Sequence, residues 1–297
     1  MKKVLVILVV SIFASGAAYG MDMSKHVGFG VWGGGIMSVN GSFDAEDNLS
    51  DVVGFYGFPA VEIKYVIIDK VAAAGVSHDN LREALTRPPS VFDRWITHRK
   101  HVYLALLRAA LAEEVKDGSV VYHGYAGHLL LDGAGPVFRV RVIASTDFRL
   151  NIAQRELEMS RDRALDYLHK VDQERARWTR ALYGVSWDDP SHYDMVLNLG
   201  HLFDIEEASK LLASTVREHK CLEFTPARKA AMYDFALASR VHAALARNPH
   251  TEVLHVTVKS LNGVVSIEGT LEDDEQIKEV DRVARAVPGV KDVQLRY

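Results

Sequence analysis

The chain has 297 residues, 48% of them hydrophobic and 25% charged, with a formal net charge of -4. That is a globular composition with room for two domains, and the mild negative charge gives no support to bulk nucleic-acid binding. The single cysteine, Cys221, excludes an intramolecular disulfide. In chain order, the first segment carries two readings. Lys2 and Lys3, the apolar run Val4 to Ala14 and the small-residue run Ser15 to Gly20 have the three parts of a secretory leader. The apolar run is too short to cross a bilayer as a helix. Its core, VLVILVV, is also β-branched and continuous, as in a strand buried on both faces of a parallel sheet. Residues 21–60 are rich in Gly, Ser and Asp, include Gly33-Gly34-Gly35, and read as an irregular segment.

From Ile63 the pattern becomes regular. Tyr65 to Ala74 is apolar, and Ser77 opens a capped segment, SHDNLREAL, with Asp79 in its first turn. Pro88-Pro89 breaks the chain, and Val91 to Val115 carries Val102, Leu106, Leu107, Ala110 and Leu111 at helical spacing. Ser119 to Tyr122 reads as a short strand, Val137 to Ile143 as an alternating one, and Ser160 to Gly184 as a helix with Gly184 as its stop. Met195 to Leu197 is a further strand and Ile205 to Arg217 a further helix. Strands alternating with helices imply an α/β fold, a parallel sheet with helices on both faces.

Ligands of such sheets bind beyond the carboxyl ends of the strands. Gly124 and Gly127, in a loop just after a strand, are therefore candidates for a pocket rim, a plain tight turn being the other reading. His123 and His128 flank that loop without a carboxylate or cysteine at ligand spacing, so no metal site is assigned. Arg175, Arg177 and Arg180 crowd the end of a helix before a Trp187-Asp-Asp-Pro190 turn. Such a cluster suits a site for phosphates, because guanidinium forks neutralise phosphoryl oxygens in pairs. The alternative is a solvated face with Asp172–Arg175 and Glu174–Arg177 pairs, and at most two of the arginines share one side of a regular helix.

Beyond Cys221 the composition changes. Pro226 opens the helical run ARKAAMYDFALASRVHAALARN. Leu254, Val256 and Val258 alternate with polar residues, Asn262-Gly263 is a hairpin turn, and Val265 and Ile267 continue on the return strand. Ile277, Val280, Val283, Ala284 and Val287 lie at helical spacing before Pro288-Gly289, and Val293, Leu295 and Tyr297 alternate in a last strand. This is a small α+β module of about 70 residues.

Several segments are recognisable together. They are Asp69 with the apolar run before it, Gly75-Val76-Ser77, Pro89 to Arg94, VVYHGYAGHLL, VRVIAS with Arg149 downstream, and VDQERARWTRALYGVSWDDPSHYDMVLN. From Ile63 to about Ser214 the chain resembles the cytidylate-kinase-like family, a branch of the P-loop nucleoside monophosphate kinases. LNGVVSIEGTLEDDEQIKEVDRVARAVPGVKDVQLRY, with Gly263, Gly269 and Gly289, resembles a BON domain. The resemblance implies a P-loop-kinase-like sheet over residues 63–220 and a BON domain over 226–297, with residues 1–62 as leader or first strand plus irregular segment. It implies ATP and Mg, a CMP-like nucleotide, and a lid whose Arg175, Arg177 and Arg180 contact phosphates. For the BON domain it implies a phospholipid or another ligand.

Two departures matter. No G-x-x-x-x-G-K-[ST] occurs; a phosphate loop is expected near IMSVNGSFDAED, where Asn40-Gly41-Ser42 supplies no lysine. Tyr125 stands where many relatives have an arginine. The expectation is a kinase-related protein with impaired phosphoryl transfer. The alternatives are a non-catalytic nucleotide or phospholipid binder, or an envelope protein in which the BON domain dominates. Cleaving residues 1–20 would remove the sheet's obvious first strand, which favours a cytoplasmic protein; a cleaved leader would make it periplasmic.

Overall fold

The computed structural model describes residues 5–10, 94–117, 120–123 and 127–297, apart from 158, 202, 220–222, 224 and 272. The expected elements between Tyr65 and Leu85, the Pro88-Pro89 break, Asn40-Gly41-Ser42, Gly124, Tyr125 and Cys221 lie outside the described residues. At Arg175, Trp178 and Leu182 only the backbone is described. The chain divides into two compact units.

The first unit is built on a parallel sheet. Its strands are β1 (Leu5–Val10), β2 (Val120–His123), β3 (Val137–Ala144) and β4 (Met195–Leu199), in the order β2-β1-β3-β4. LVILVV forms β1, with Leu5 opposite Val120 on one side and Val137 on the other, so the most continuous apolar run takes an inner position. β3 alternates instead. Phe138, Val140 and Val142 face a core completed by Leu197 and Leu199 of β4 and by Ala208, Leu212 and Val216 of a helix. That helix, Ile205–Glu218, begins at a capping box in which Asp204 accepts from the Glu207 amide at 2.8 Å and Glu207 accepts from the Asp204 amide at 3.0 Å. On the alternate positions of β3 stand Arg139 and Arg141, and the Arg141 guanidinium lies 4.8 Å from the Trp187 ring centre and 5.8 Å from that of Tyr193.

Between β3 and β4 run two helices, Thr146–Leu157 and Arg161–Tyr183. They pack through Leu150 and Ala153 against Ala164 and Leu168. The second ends as expected at Gly184, whose φ of 68° is left-handed and whose amide bonds the Arg180 carbonyl. The first has no counterpart in the sequence reading. The Trp-Asp-Asp-Pro turn is a short 3₁₀ segment, Pro190–His192, capped by the Asp189 carboxylate on the Ser191 amide.

The second unit contains helix Arg94–Val115, the turn at 130–135, and the chain beyond Phe224. Division by sequence places that first helix with the kinase-like segment; division by packing places it here. It is apolar on most of its circumference, with Leu111, Ala112 and Val115 fully buried. It packs antiparallel to the long helix Pro226–Arg247. Arg108 sits 4.9 Å from the Phe235 ring centre, and Asp117, just past the helix end, accepts from the Tyr233 hydroxyl at 2.7 Å.

The C-terminal module follows as β5 (Val256–Leu261), β6 (Val264–Gly269), helix Asp274–Arg285 and β7 (Asp292–Arg296), the sheet running β5-β6-β7. Asn262 and Gly263 take φ of 53° and 87°, the two left-handed residues the turn requires. Asp234 on the long helix fixes this turn by accepting from the Ser260 hydroxyl and the amides of Asn262 and Gly263. Leu237, Val241 and Leu245 of the long helix close the core over Val265, Ile267, Val280, Val283 and Val293.

Candidate functional site

In a parallel sheet of the order β2-β1-β3-β4 the connections switch sides between β1 and β3, and open α/β sheets have their ligand crevice at that switch point, outside the carboxyl ends of the strands. Val10 of β1 pairs with Val142, so β3 runs two residues past the end of β1. In a phosphate-binding fold the loop that cradles phosphates follows the first strand directly. The segment continuing from β1 is Ser11 to Gly20, not Asn40-Gly41-Ser42. It supplies Ser15, Gly16 and Gly20, and the first lysine after β1 is Lys25. A full phosphate loop with its lysine is therefore not encoded at the topological position either.

The other side of the crevice is the start of helix Thr146–Leu157. Its first turn is set by Ser145, whose hydroxyl accepts from the Phe148 amide at 3.2 Å. Gly200, just after β4, has φ of 92°, and a Cβ there would lie 2.8 Å from the Phe148 ring. Only glycine lets the helix start sit this close to the strand end. Arg149 follows, and it forks onto Asp172 with bonds of 2.7 and 2.9 Å. Its Nε is buried with no hydrogen-bond partner. Asp172 thus serves Arg149 in addition to standing three residues before Arg175, a use that helix spacing does not reveal.

The arginines of helix Arg161–Tyr183 are spread out. Arg177 and Arg180 share one face and are exposed. Measured from Asp172, Arg180 is about 12 Å farther along the axis at 1.5 Å per residue. There it faces Asp188, in the connection into the amino end of β4. The Asp188 carboxyl is held below its usual range by the Ser186 hydroxyl first, then by its backbone, Arg141 and Arg180.

Gly127 begins a one-turn helix, Gly127–Leu130, and is buried, so it packs within the unit; Gly124 lies outside the described residues. His128 in that turn is 3% exposed, and neither ring nitrogen has a hydrogen-bond partner. Its ring lies 4.9 Å from that of Tyr193. Burial, then the positive charges of His192 and Arg139, push its pKa down to about 4. Among the described residues no group of three His, Cys, Asp or Glu side chains converges on a metal position.

Sequence reasoning had Arg149 in view only as a residue downstream of a strand. Its signal was the pairing of a helix-start arginine with an aspartate that the Arg175 spacing had already claimed. Arg141 was hidden by alternation, because polar positions on a strand read as solvent-facing.

Comparison with known proteins now bears on these residues. Residues 61–201 match the model of the Cytidylate kinase-like family, and residues 233–297 match that of the BON domain. A crystal structure of an uncharacterized protein from Eubacterium ventriosum is similar at 14% identity with a TM-score of 0.38, covering 52% of this chain and 92% of that one. No curated protein matches the chain. The chain thus carries, after β1, a segment that matches the Cytidylate kinase-like family and a C-terminal segment that matches the BON domain.

Proposed function

We propose that the protein binds nucleotides with a kinase-derived α/β unit whose phosphoryl transfer is impaired, and that its BON domain supplies a second binding function. The family match over residues 61–201 carries this reading. The crevice between β1 and β3 is the binding position, since open parallel sheets take ligands at the switch point. Arg177 and Arg180 are exposed and free to swing toward phosphates, and the resemblance adds Arg175.

ATP with Mg is the co-substrate pair that the family implies. Bound Mg would neutralise phosphate oxygens and is commonly held by one or two carboxylates plus those oxygens. The donor set of this chain does not fit a complete cradle, because no lysine accompanies Ser15, Gly16 and Gly20. The inner place of Leu5–Val10 in the sheet favours an uncleaved N-terminus and with it a cytoplasmic protein.

Calorimetry of the full chain with CMP and with ATP tests the reading. The expected result is weak binding that declines further in the Arg177→Ala/Arg180→Ala double variant. Unchanged affinity in that variant removes the arginines from the site, and robust CMP phosphorylation by the unaltered chain overturns the impairment. A phospholipid ligand rests on the BON match at 233–297. Co-sedimentation with anionic phospholipid vesicles checks it, and no sedimentation at low salt would sink it.

A further inference from the structure

Three imidazoles from three elements meet in the C-terminal unit. His101 stands in helix Arg94–Val115, His242 in helix Pro226–Arg247, and His255 immediately before β5. The rings of His101 and His242 are 5.4 Å apart at 83°, and those of His101 and His255 are 6.3 Å apart at 66°. Edge-to-face packing of this kind suits neutral rings, whereas two imidazolium ions at such a spacing repel.

The surroundings sharpen the effect. From the first helix, His101 and Arg108 act on His242, and both contribute positive charge. From the strand side the facing group is His255. Of the carboxylates on the packed elements, Glu113 is drawn to Lys116 and Arg240, and Glu279 holds Asn248 and Arg282. Neither of these carboxylates is among the charges that act on His242.

We propose that the His101–His242–His255 cluster is a proton-operated latch that fastens helix Arg94–Val115 to helix Pro226–Arg247 at neutral pH and releases it in mild acid. Burial first, then His101 and Arg108, hold the His242 pKa down to about 4, well below the ordinary 6.5. The sign follows. Above pH 6.5 the His242 ring is neutral in both the closed and open states, and closure is fully favoured. Between 6.5 and 4 the open state takes up a proton that the closed state refuses, so closure weakens as pH falls.

Hydrogen exchange of the full chain at pH 7.5 and 5.5, corrected for intrinsic rates, tests the latch. Peptides from residues 94–115 and 226–247 should lose at least tenfold protection at pH 5.5. That loss should shrink to less than threefold in His242→Gln, shrink in part in His101→Gln, where the burial of His242 remains, and persist in His128→Gln, which alters the other unit. Protection that is independent of pH in the unaltered chain overturns the latch, as does a loss of equal size in both cluster variants. Should either variant fail to fold, ring-carbon NMR of the unaltered chain decides. Titration of His242 below pH 5, together with displacement of signals from the first helix, supports the latch. An ordinary titration near 6.5 that leaves those signals unmoved overturns it.

Discussion

The two units assemble their cores from opposite kinds of contact. In the C-terminal unit, a two-residue turn joins β5 and β6, and one helix separates β6 from β7, so most of that core lies within about fifty residues of sequence. In the α/β unit, β1 sits between β2 and β3, whose partner residues lie more than a hundred positions away, as in Leu5 with Val120 and Val137. Each unit nonetheless takes one element from far upstream, β1 in one and helix Arg94–Val115 in the other. Local pattern supplies most of one core, and long-range pairing decides the other.

The largest test of this contrast is deletion of residues 1–20. Losing an inner strand strips the backbone partners of β2 and β3 together. The α/β unit should lose its cooperative transition in calorimetry, while protease-resistant fragments spanning 233–297 persist. Survival of both transitions would show that β1 is dispensable and revive the leader reading. Next comes Leu245→Ala, at a side chain 1% exposed in the C-terminal core. It should cost about 2–5 kcal/mol, measured as a lower denaturant midpoint for that unit alone. A matching shift in the α/β transition would deny that the cores are separate.

Acid separates the units further. His128, neutral and buried in the α/β unit with its pKa lowered to about 4, contributes stability that is complete above pH 6.5 and falls away toward pH 4. A depression from 6.5 to about 4 corresponds to roughly 3 kcal/mol. His128→Phe should flatten the pH dependence of the α/β transition and leave that of the C-terminal unit in place. An unchanged slope would mean that another group titrates. The smallest effect is expected at Gly263→Ala. The left-handed φ of 87° and a Gly289 carbonyl 3.2 Å from the added carbon should cost about 1–2 kcal/mol of C-terminal stability. A neutral result would mean that the turn relaxes.

How far these features can be read without coordinates varies with the physics behind them. Gly184 as a helix stop and Asn262-Gly263 as a turn follow from backbone sterics, which depend on neighbouring residues alone. Helix Thr146–Leu157 escaped detection because Phe148, Leu150 and Ile152 are spaced by two, which imitates a strand. Gly127 is buried at a helix start, a placement that the glycine's conformational freedom alone does not specify. The arginine cluster is visible as composition, yet the shared exposed face of Arg177 and Arg180 comes from the phase of a continuous helix.

By itself, the sequence determined the two-module organisation, the alternation of strands and helices, the hairpin of the C-terminal module and the lack of a lysine-bearing phosphate loop. These rest on periodicity, on turn sterics and on which residue types are present, all of them local. Tertiary structure decided that LVILVV lies inside the sheet, that Asp172 receives Arg149, that Arg180 faces Asp188, and that three histidines from distant segments share one contact. Each of these depends on segments brought together across long stretches of chain, where burial and charge, not neighbours in sequence, set the outcome.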